Sequence, residues 1–265
     1  MDNSNNKEPK LLKHLETEDI MGYRVLSSNL DHLLDVISNW IEEGGYCRLL
    51  ACINPHSYMV SLGDPEFSRA LHGTDWLVPD GTGILMASRI LGGRINQRIT
   101  GSDIFHGIHN RLNNVGAKVF FLGSTETTLQ GICSKMRVDW PCIRIAGTYS
   151  PPFKPVFSKE DNRTMLGAVN AVVPDVLWVG MTAPKQEKWL FENRGKLNVK
   201  FAGAVGAVFD FYTGRVKRSH PKFQRLGFEW LPRLIREPSR LWSRNFISTP
   251  KFLYRLAIEW KNRRK

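Results

Sequence analysis

Residues 77–84, LVPDGTGI, place a single carboxylate where an apolar run meets a helical pattern. Asp80 stands between Pro79 and Gly81, and Gly83 follows shortly after. Proline fixes its own φ, and glycines allow a tight turn and the close approach of a ligand. An aspartate in such a place either caps a helix or acts as a general base. The residue types alone favour the cap and leave the base open.

An asparagine and a histidine follow the apolar run RLLACIN. Asn54 ends the run, and His56 comes two residues later. An asparagine here can hold a ligand hydroxyl, but turns and helix caps use the same residue. A lone histidine is more often structural than functional. Both residues are therefore candidates with a structural alternative.

An arginine and an aspartate lie close together in QRITGSD (97–103). The guanidinium of Arg98 can pair with a phosphate through two parallel hydrogen bonds. A solvated surface arginine is the alternative, since a single arginine is weak support for a phosphate site. Ser102 and Asp103 resemble the start of a helix.

Three further segments carry polar residues after apolar runs. In VGMTAPKQEKW, Gln186 and Glu187 follow a proline suited to the first turn of a helix, and Glu187 either belongs to a site or complements the helix dipole. In AGAVGAVFDFYTG, Gly206 permits close approach, and Asp210 either binds a ribose or base or caps a helix. KVFFLGSTETT has the strand, glycine and hydroxyl order that receives a phosphate at a helix N-terminus.

The absence of several sequence motifs reduces the number of enzyme classes to which the chain could belong. KVFFLGSTETT is neither G-x-G-x-x-G nor a P-loop, so it does not identify a nucleotide. The sequence has no D-x-D motif and no G-x-S-x-G elbow. Its four cysteines form no C-x-x-C pair. No metal-bridged diphosphate, serine hydrolase or zinc site is therefore indicated.

Short β-rich runs alternate with helical patterns up to residue 214. Most of the runs are continuously apolar, as in strands covered on both faces. This alternation predicts an α/β fold with a Rossmann-like, mainly parallel sheet flanked by helices, whose ligands bind beyond the carboxyl ends of the strands. We predict strands over 48–54, 76–79, 118–123, 143–147, 176–180 and 199–206, and helices over 29–43, 82–92, 102–113, 125–138, 159–171 and 184–194.

Composition bounds the class of protein. The chain has 265 residues, of which 42% are hydrophobic and 23% charged, as in an ordinary folded soluble protein. No apolar run approaches the roughly 18 residues that span a bilayer, and MDNSNNKEPK lacks a signal-peptide pattern. The cysteines indicate a reduced, cytosolic protein. We predict a disordered lead-in over 1–22, a catalytic domain over 23–214 and a basic helical appendage over 215–265.

The positive charge is concentrated in that appendage. Residues 215–265 hold 15 Lys/Arg and 3 Asp/Glu, a net of +12, whereas residues 1–214 hold 22 of each and are neutral. Trp230, Trp242 and Trp260 lie among these basic residues. Basic residues interleaved with aromatics suit an anionic membrane surface or a nucleic acid.

Six segments, taken in order, resemble one family. They are VPDGTGILMASRILG, RITGSD, FFLGS, VGMTAPKQEKW, GAVGAVFDFYTG and GFEWLPRLIREPSRLWSR. Together they resemble the TagA/WecG/CpsF glycosyltransferase family (glycosyltransferase family 26), from about Tyr23 to about Phe252. Six motifs in the same order are far more specific than any one of them.

The resemblance implies an activity and assigns residues to it. Such enzymes transfer a sugar from a UDP-sugar to a polyprenyl-diphosphate-linked saccharide, with inversion and without a metal or other cofactor. The donor sugar is N-acetylmannosamine, its uronic acid or glucose. Asp80 would be the base and Arg98 would assist catalysis. The residues expected to bind donor or acceptor are Asn54, His56, Thr82, Asp103, Gln186, Glu187, Gly206 and Asp210.

The resemblance also implies a role for the appendage. It would dock on the anionic cytoplasmic face of the plasma membrane, as part of a peripheral protein, and close over the active site. Arg233 and Arg240 would meet the diphosphate. Two positions differ from the family pattern: Cys52 replaces a threonine, and Arg218 opens R-S-H where the family has R-A-P.

Two other functions compete with this one. A nucleic-acid-binding protein would explain the basic tail, but not the polar residues at successive strand ends. We therefore expect no nucleic-acid partner and keep this class as the alternative. A nucleotide-binding regulator without catalysis is disfavoured by the joint presence of Asp80, Arg98 and Gln186. A homo-oligomer in solution is possible, since association would cover the apolar face of the tail.

Overall fold

The computed structural model describes residues 15–216 and 243–264, with residues 243–245 described by their backbone alone. An antiparallel hairpin of β1 (Thr17–Ile20) and β2 (Tyr23–Leu26) comes first. The predicted lead-in over 1–22 was therefore too long, because its last residues pair with β2. A boundary at residue 22 would cut this hairpin at its turn.

Six parallel strands form the central sheet, in the order β4-β3-β8-β7-β5-β6. The α/β prediction is thus confirmed, and each predicted strand has a counterpart. The prediction over 199–206 was the least accurate in length, since the observed strand is much shorter. The strands are β3 (Arg48–Ile53), β4 (Trp76–Pro79), β5 (Lys118–Gly123), β6 (Arg144–Tyr149), β7 (Val176–Gly180) and β8 (Phe201–Ala204).

Helices cover both faces of the sheet. The six predicted helices are present to within a few residues, the last helix lies in the predicted helical appendage, and three further helices of the described residues had not been predicted. The first nine helices are α1 (Leu30–Glu43), α2 (Pro55–Ser61), α3 (Pro65–His72), α4 (Thr82–Ile90), α5 (Gly101–Leu112), α6 (Glu126–Asp139), α7 (Lys159–Asn170), α8 (Lys185–Asn193) and α9 (Val208–Tyr212). A π-helical turn (Ser243–Ser248) leads into α10 (Thr249–Asn262).

The central strand β7 shows why the strands are continuously apolar. Val176 and Trp178 pack into the hydrophobic cluster on one face of the sheet. Leu177 and Val179 pack into the cluster on the other face. Side chains alternate between faces along a strand, so a sheet covered on both sides requires apolar residues at every position.

The last helix packs on the body of the protein. Phe252 and Leu256 of α10 are buried, and the Phe252 ring lies 5.4 Å from that of Tyr58 on α2. Leu253 and Trp260 of the same helix are 40% and 38% exposed. The apolar residues of α10 are therefore divided between a stripe buried on the body and an exposed remainder.

No helix of residues 15–216 or 243–264 is both long enough and apolar enough to cross a membrane.

Candidate active site

A cavity of about 1130 Å³ lies along the carboxyl edge of the sheet. Residues that follow all six strands of the sheet line it, as parallel topology predicts, and Ser150 is the one that follows β6. Asn54 follows β3, Asp80 follows β4, Ser124 follows β5, Met181 follows β7 and Val205 follows β8. Segments far apart in sequence therefore meet in one site.

Asp80 lines this cavity and is not the N-cap of α4. Its backbone N–H donates to the Ile53 carbonyl at 2.8 Å, which extends the β3–β4 pairing by one residue. The N-cap is Gly81, with φ at +90°, a backbone conformation that glycine adopts readily. The structure therefore removes the alternative that the sequence alone favoured for Asp80.

Gly83 has a packing role that the sequence did not suggest. A Cβ at this position would lie 2.3 Å from the Pro55 Cγ atom. The glycine therefore lets the start of α4 pack against the start of α2. Thr82, the first residue of α4, is exposed on the cavity wall.

Asn54 is both a helix cap and a cavity residue. Its Oδ1 accepts from the backbone N–H groups of His56 and Ser57, each at 3.0 Å, in a capping box that starts α2. The structural alternative for Asn54 is thus confirmed. Because the oxygen is used by the cap, the amide nitrogen is the group that Asn54 can offer a ligand.

His56 connects the cavity with the C-terminal segment. Its Nδ1 atom lies 2.9 Å from Oγ of Ser248, which is buried just before α10. Phe246 and Thr249 of the same segment also line the cavity. Residues near the C-terminus therefore form part of the site wall.

Arg98 and Asp103 have different positions, although they are close in sequence. Arg98 is half-buried and lines the cavity. The Asp103 carboxylate accepts from the Thr100 N–H at 2.9 Å and the Thr100 hydroxyl at 2.6 Å, in the capping box of α5. Asp103 is not among the residues that line the cavity. The contacts observed for its carboxylate belong to the helix cap, and its binding role stays a prediction.

Gln186 joins the loops that follow β7 and β8. Its Oε1 accepts from the Met181 N–H at 3.2 Å and from the Gly206 N–H at 2.9 Å. Its Nε2 donates to Oε1 of Glu187 at 2.9 Å. Gly206 has φ at +55°, in the left-handed region that glycine adopts readily. In this conformation its N–H points at Gln186.

Glu187 is an unusual carboxylate. It is 5% exposed, and its Oε2 atom is buried with no hydrogen-bond partner among the described residues. Burial raises the pKa of this group from 4.5 to about 7, although the Gln186 hydrogen bond opposes the change. Buried carboxyls with raised pKa values are concentrated at functional sites. Glu187 can thus exchange a proton near neutral pH.

Cys52 lies on the cavity wall where the resembling family has threonine. Burial, together with the nearby charges of Asp80 and Glu187, raises the pKa of its thiol well above the ordinary value. The side chain therefore remains a neutral thiol, which is a weaker hydrogen-bond donor than a hydroxyl.

Asp210 lines the cavity from the first turn of α9. Its Oδ1 lies 3.7 Å from the guanidinium of Arg215, an ion pair longer than a hydrogen bond. Arg215 also donates to the Thr128 hydroxyl at 3.2 Å. The Arg215 guanidinium is therefore held between α6 and α9, and Arg215 also lines the cavity.

The segment after β5 has the predicted helix start. Thr125 is the N-cap of α6, its hydroxyl accepting from the Thr128 N–H at 3.3 Å. Ser124 has φ at +59°, and its carbonyl accepts from the Ser150 hydroxyl at 2.7 Å. Ser124, Thr125 and Ser150 all line the cavity.

Some cavity residues had not been predicted. Phe153 and Phe157 come from a loop whose sequence shows no site pattern until the chain is folded. Lys185, beside Gln186 in the VGMTAPKQEKW segment, also lines the cavity. Arg233 and Arg240, predicted to bind the diphosphate, lie outside the described residues.

The parallel sheet is covered by helices on both faces and has a cavity with polar side chains at its carboxyl edge. This arrangement is typical of Rossmann-like α/β enzymes. Comparison with known proteins gives the family. The family model described as "Glycosyl transferase WecG/TagA/CpsF family" matches residues 18–265. The chain therefore belongs to this family of glycosyltransferases, as its motifs predicted. The match gives no support to the nucleic-acid alternative.

Two curated relatives carry the same name, N-acetylglucosaminyldiphosphoundecaprenol N-acetyl-beta-D-mannosaminyltransferase. The one from Bacillus subtilis (strain 168) is 28% identical over 250 residues, which cover 94% of each chain. The one from Bacillus spizizenii (strain ATCC 23059 / NRRL B-14472 / W23) is 30% identical over 239 residues, which cover 90% of each chain. The similarity thus extends over nearly all of both proteins.

Proposed function

We propose that this glycosyltransferase moves a sugar from a UDP-sugar to a polyprenyl-diphosphate-linked saccharide, in the synthesis of a bacterial surface polysaccharide. The observation that carries the proposal is the meeting of Asp80, Arg98, Gln186 and Asp210 in one cavity. The family motifs that contain them are far apart in sequence.

Asp80 is the general base of this proposal. Its carboxylate takes the proton of an acceptor hydroxyl while that oxygen attacks the anomeric carbon. The bond between this carbon and the diphosphate oxygen breaks, and its electron pair leaves with UDP. A single displacement inverts the anomeric centre and requires only one carboxylate, unlike the carboxylate pair of glycoside hydrolysis.

Charge on the departing diphosphate is stabilised by side chains in this proposal. Arg98 supplies a planar guanidinium suited to phosphate oxygens. Arg233 and Arg240 of the tail are further candidates from the family resemblance. With these cations, the reaction needs no metal ion, and activity in the presence of a chelator tests this part.

N-acetylmannosamine is the first donor sugar to test. Both relatives are named as N-acetylmannosaminyltransferases acting on N-acetylglucosaminyldiphosphoundecaprenol. Asn54, His56 and Glu187, near the Asp80 end of the cavity wall, are the proposed contacts of the reacting sugars. Their amide, imidazole and carboxyl groups can bond sugar hydroxyl and acetamido groups.

The tail places the enzyme on the membrane in this proposal. Residues 215–265 carry a net charge of +12, and anionic leaflets attract each surface Lys or Arg by about 1 kcal/mol. The lipid-linked acceptor resides at the same surface. The protein would thus be peripheral, on the cytoplasmic face of the plasma membrane.

A substrate screen tests the whole proposal. Purified full-length protein is incubated with UDP-N-acetylmannosamine, its uronic acid or UDP-glucose, and with lipid-linked mono- and disaccharide acceptors, with and without EDTA. We expect transfer from one donor, insensitivity to EDTA and a product of inverted anomeric configuration. Retention of configuration, or a need for added metal, would contradict the mechanism.

A further inference from the structure

Lys185 is a cavity cation held by a loop. Its Nζ donates to the backbone carbonyl of Lys154 at 2.8 Å. The ammonium also lies 4.8 Å from the ring centre of Phe157 and 5.7 Å from that of Phe153. These three partners belong to the loop of residues 150–158, between β6 and α7. Aromatic faces attract cations, so the position of the ammonium is well defined.

The loop itself is anchored. The Lys154 ammonium pairs with Asp161 at 2.5 Å, and the same carboxylate accepts from the Ser158 N–H and hydroxyl in the capping box of α7. At the other end, the Ser150 hydroxyl donates to the Ser124 carbonyl. Lys185 therefore contacts a loop that is held in place at both ends.

Lys185 differs from comparable lysines in having no acidic partner. Four lysines of the described ranges are half-buried. Lys154, Lys188 and Lys200 pair with Asp161, Asp64 and Asp175 at 2.5, 2.7 and 2.9 Å, respectively. No carboxylate of residues 15–216 or 246–264 forms an ion pair with Lys185.

The position of Lys185 is unfavourable for a cation without a counter-ion. It is the first residue of α8, where the helix dipole favours negative charge. Burial also lowers the pKa of its ammonium. A bound anion would offset both costs. The ammonium has three donors, and the Lys154 carbonyl uses one, so two can reach phosphate oxygens.

We infer that Lys185 binds a diphosphate in this cavity, the diphosphate of the nucleotide-sugar or that of the lipid-linked acceptor. This inference rests on the proposed function for the identity of the ligand. It assigns diphosphate binding to a residue of the α/β body, in addition to the tail arginines. The loop of residues 150–158 sets the position of the ammonium.

Calorimetric titration of the full-length protein tests the inference with four probes: UDP, uridine, farnesyl diphosphate and farnesol. The variant is Lys185→Met, which keeps the length of the side chain and removes its charge. The matched control is Lys188→Met, on the same helix but outside the cavity. We expect Lys185→Met to weaken one diphosphate probe at least about tenfold. Binding of the phosphate-free probes should not change.

The outcomes separate the two sources of the diphosphate. A loss confined to UDP assigns Lys185 to the donor, and one confined to farnesyl diphosphate assigns it to the acceptor. If Lys185→Met binds both diphosphates as tightly as the wild type, the inference is wrong. It is also wrong if the variant loses as much affinity for uridine and farnesol as for the diphosphates. In either case Lys185 serves only to anchor the loop. If the wild-type protein binds UDP no more tightly than uridine, the proposed UDP-sugar donor is wrong. The titrations with farnesyl diphosphate and farnesol then still test the role of Lys185.

Discussion

Gln186 donates its amide N–H to Glu187 at 2.9 Å, on the opposite side of a buried amide whose oxygen holds two loops. The amide oxygen of Gln186 accepts from the N–H groups of Met181 and Gly206. An amide turned by 180° would bring its N–H groups toward those of Met181 and Gly206 and its oxygen toward the Glu187 carboxylate, so all three partners favour the observed orientation. The pair therefore shapes the cavity floor between β7 and β8.

Glu187→Gln should remove a pH dependence of stability. The folded state raises the pKa from 4.5 to about 7, so the folded protein binds more protons than the unfolded chain between these values. The contribution of Glu187 to the free energy of unfolding is then greatest below pH 4.5 and falls by about 3 kcal/mol as pH rises to 7. Thermal unfolding from pH 5 to 8 should show this fall in the wild type and not in the variant.

The control for this titration is Glu192→Gln, an exposed carboxyl on the same helix. It should keep the wild-type pH dependence. Equal pH slopes for Glu187→Gln and the wild type would show that Glu187 is ionised in the folded protein throughout this range.

Gln186→Glu should lose activity in a way that acid restores. An ionised carboxylate at position 186 repels Glu187 and cannot donate to it. When one of the two carboxyls is protonated, it can donate to the other and restore the bond. We expect kcat/KM of the variant, divided by that of the wild type, to rise as pH falls from 8.5 to 6. A constant ratio would contradict an orienting role for the Gln186–Glu187 bond.

Asp80→Asn should remove the base while keeping the shape of the site. General bases contribute about 10²- to 10⁴-fold, so we expect kcat to fall by at least about 100-fold. UDP affinity should change little, since the nucleotide does not depend on this proton transfer. Asp64→Asn, at the start of α3 and outside the cavity, is the control. Wild-type kcat in the Asp80 variant would exclude Asp80 as the base.

Phe252→Ala should loosen α10 from the body. The phenyl ring is fully buried against Tyr58, and truncations of this kind cost about 3 kcal/mol or more. Urea unfolding should show this loss, and proteolysis should cut the C-terminal segment sooner. Leu253→Ala changes the next residue, which is 40% exposed, and should have a small effect. Equal losses in the two variants would contradict the packing of α10 through Phe252.

Membrane binding is better tested by removing charge than by removing the tail. Truncation before α10 would also expose the surface that Phe252 and Leu256 cover. We expect Gln at Lys251, Lys261 and Arg264, all exposed, to weaken flotation with anionic liposomes, because each basic residue contributes about 1 kcal/mol.

The control for flotation carries Gln at Lys159, Arg163 and Arg137, which are exposed on helices of the body. It loses the same number of charges and should float like the wild type. If both triple variants lose binding equally, the attraction depends on overall charge and not on the C-terminal helix.

The sequence by itself predicted the parallel sheet, because strands buried on both faces are apolar throughout and here alternate with helical patterns. The family motifs also located most of the cavity residues. Short elements were missed: α2 and α3 are seven and eight residues long, too short for a helical period to stand out. Only the start of α2 was visible in the sequence, as the possible cap Asn54.

Only the tertiary structure decided which polar groups face the cavity and which serve the fold. Asp80 and Asp103 both stand near a glycine at a helix start, but the cap of α5 uses Asp103, and Gly81 takes the cap of α4. The partners of Lys185 lie on the loop after β6, and Gly206, one of the partners of Gln186, follows β8. Whether a polar group faces the cavity depends on its distance from segments that are remote in the chain. The residue types around one position do not give these distances.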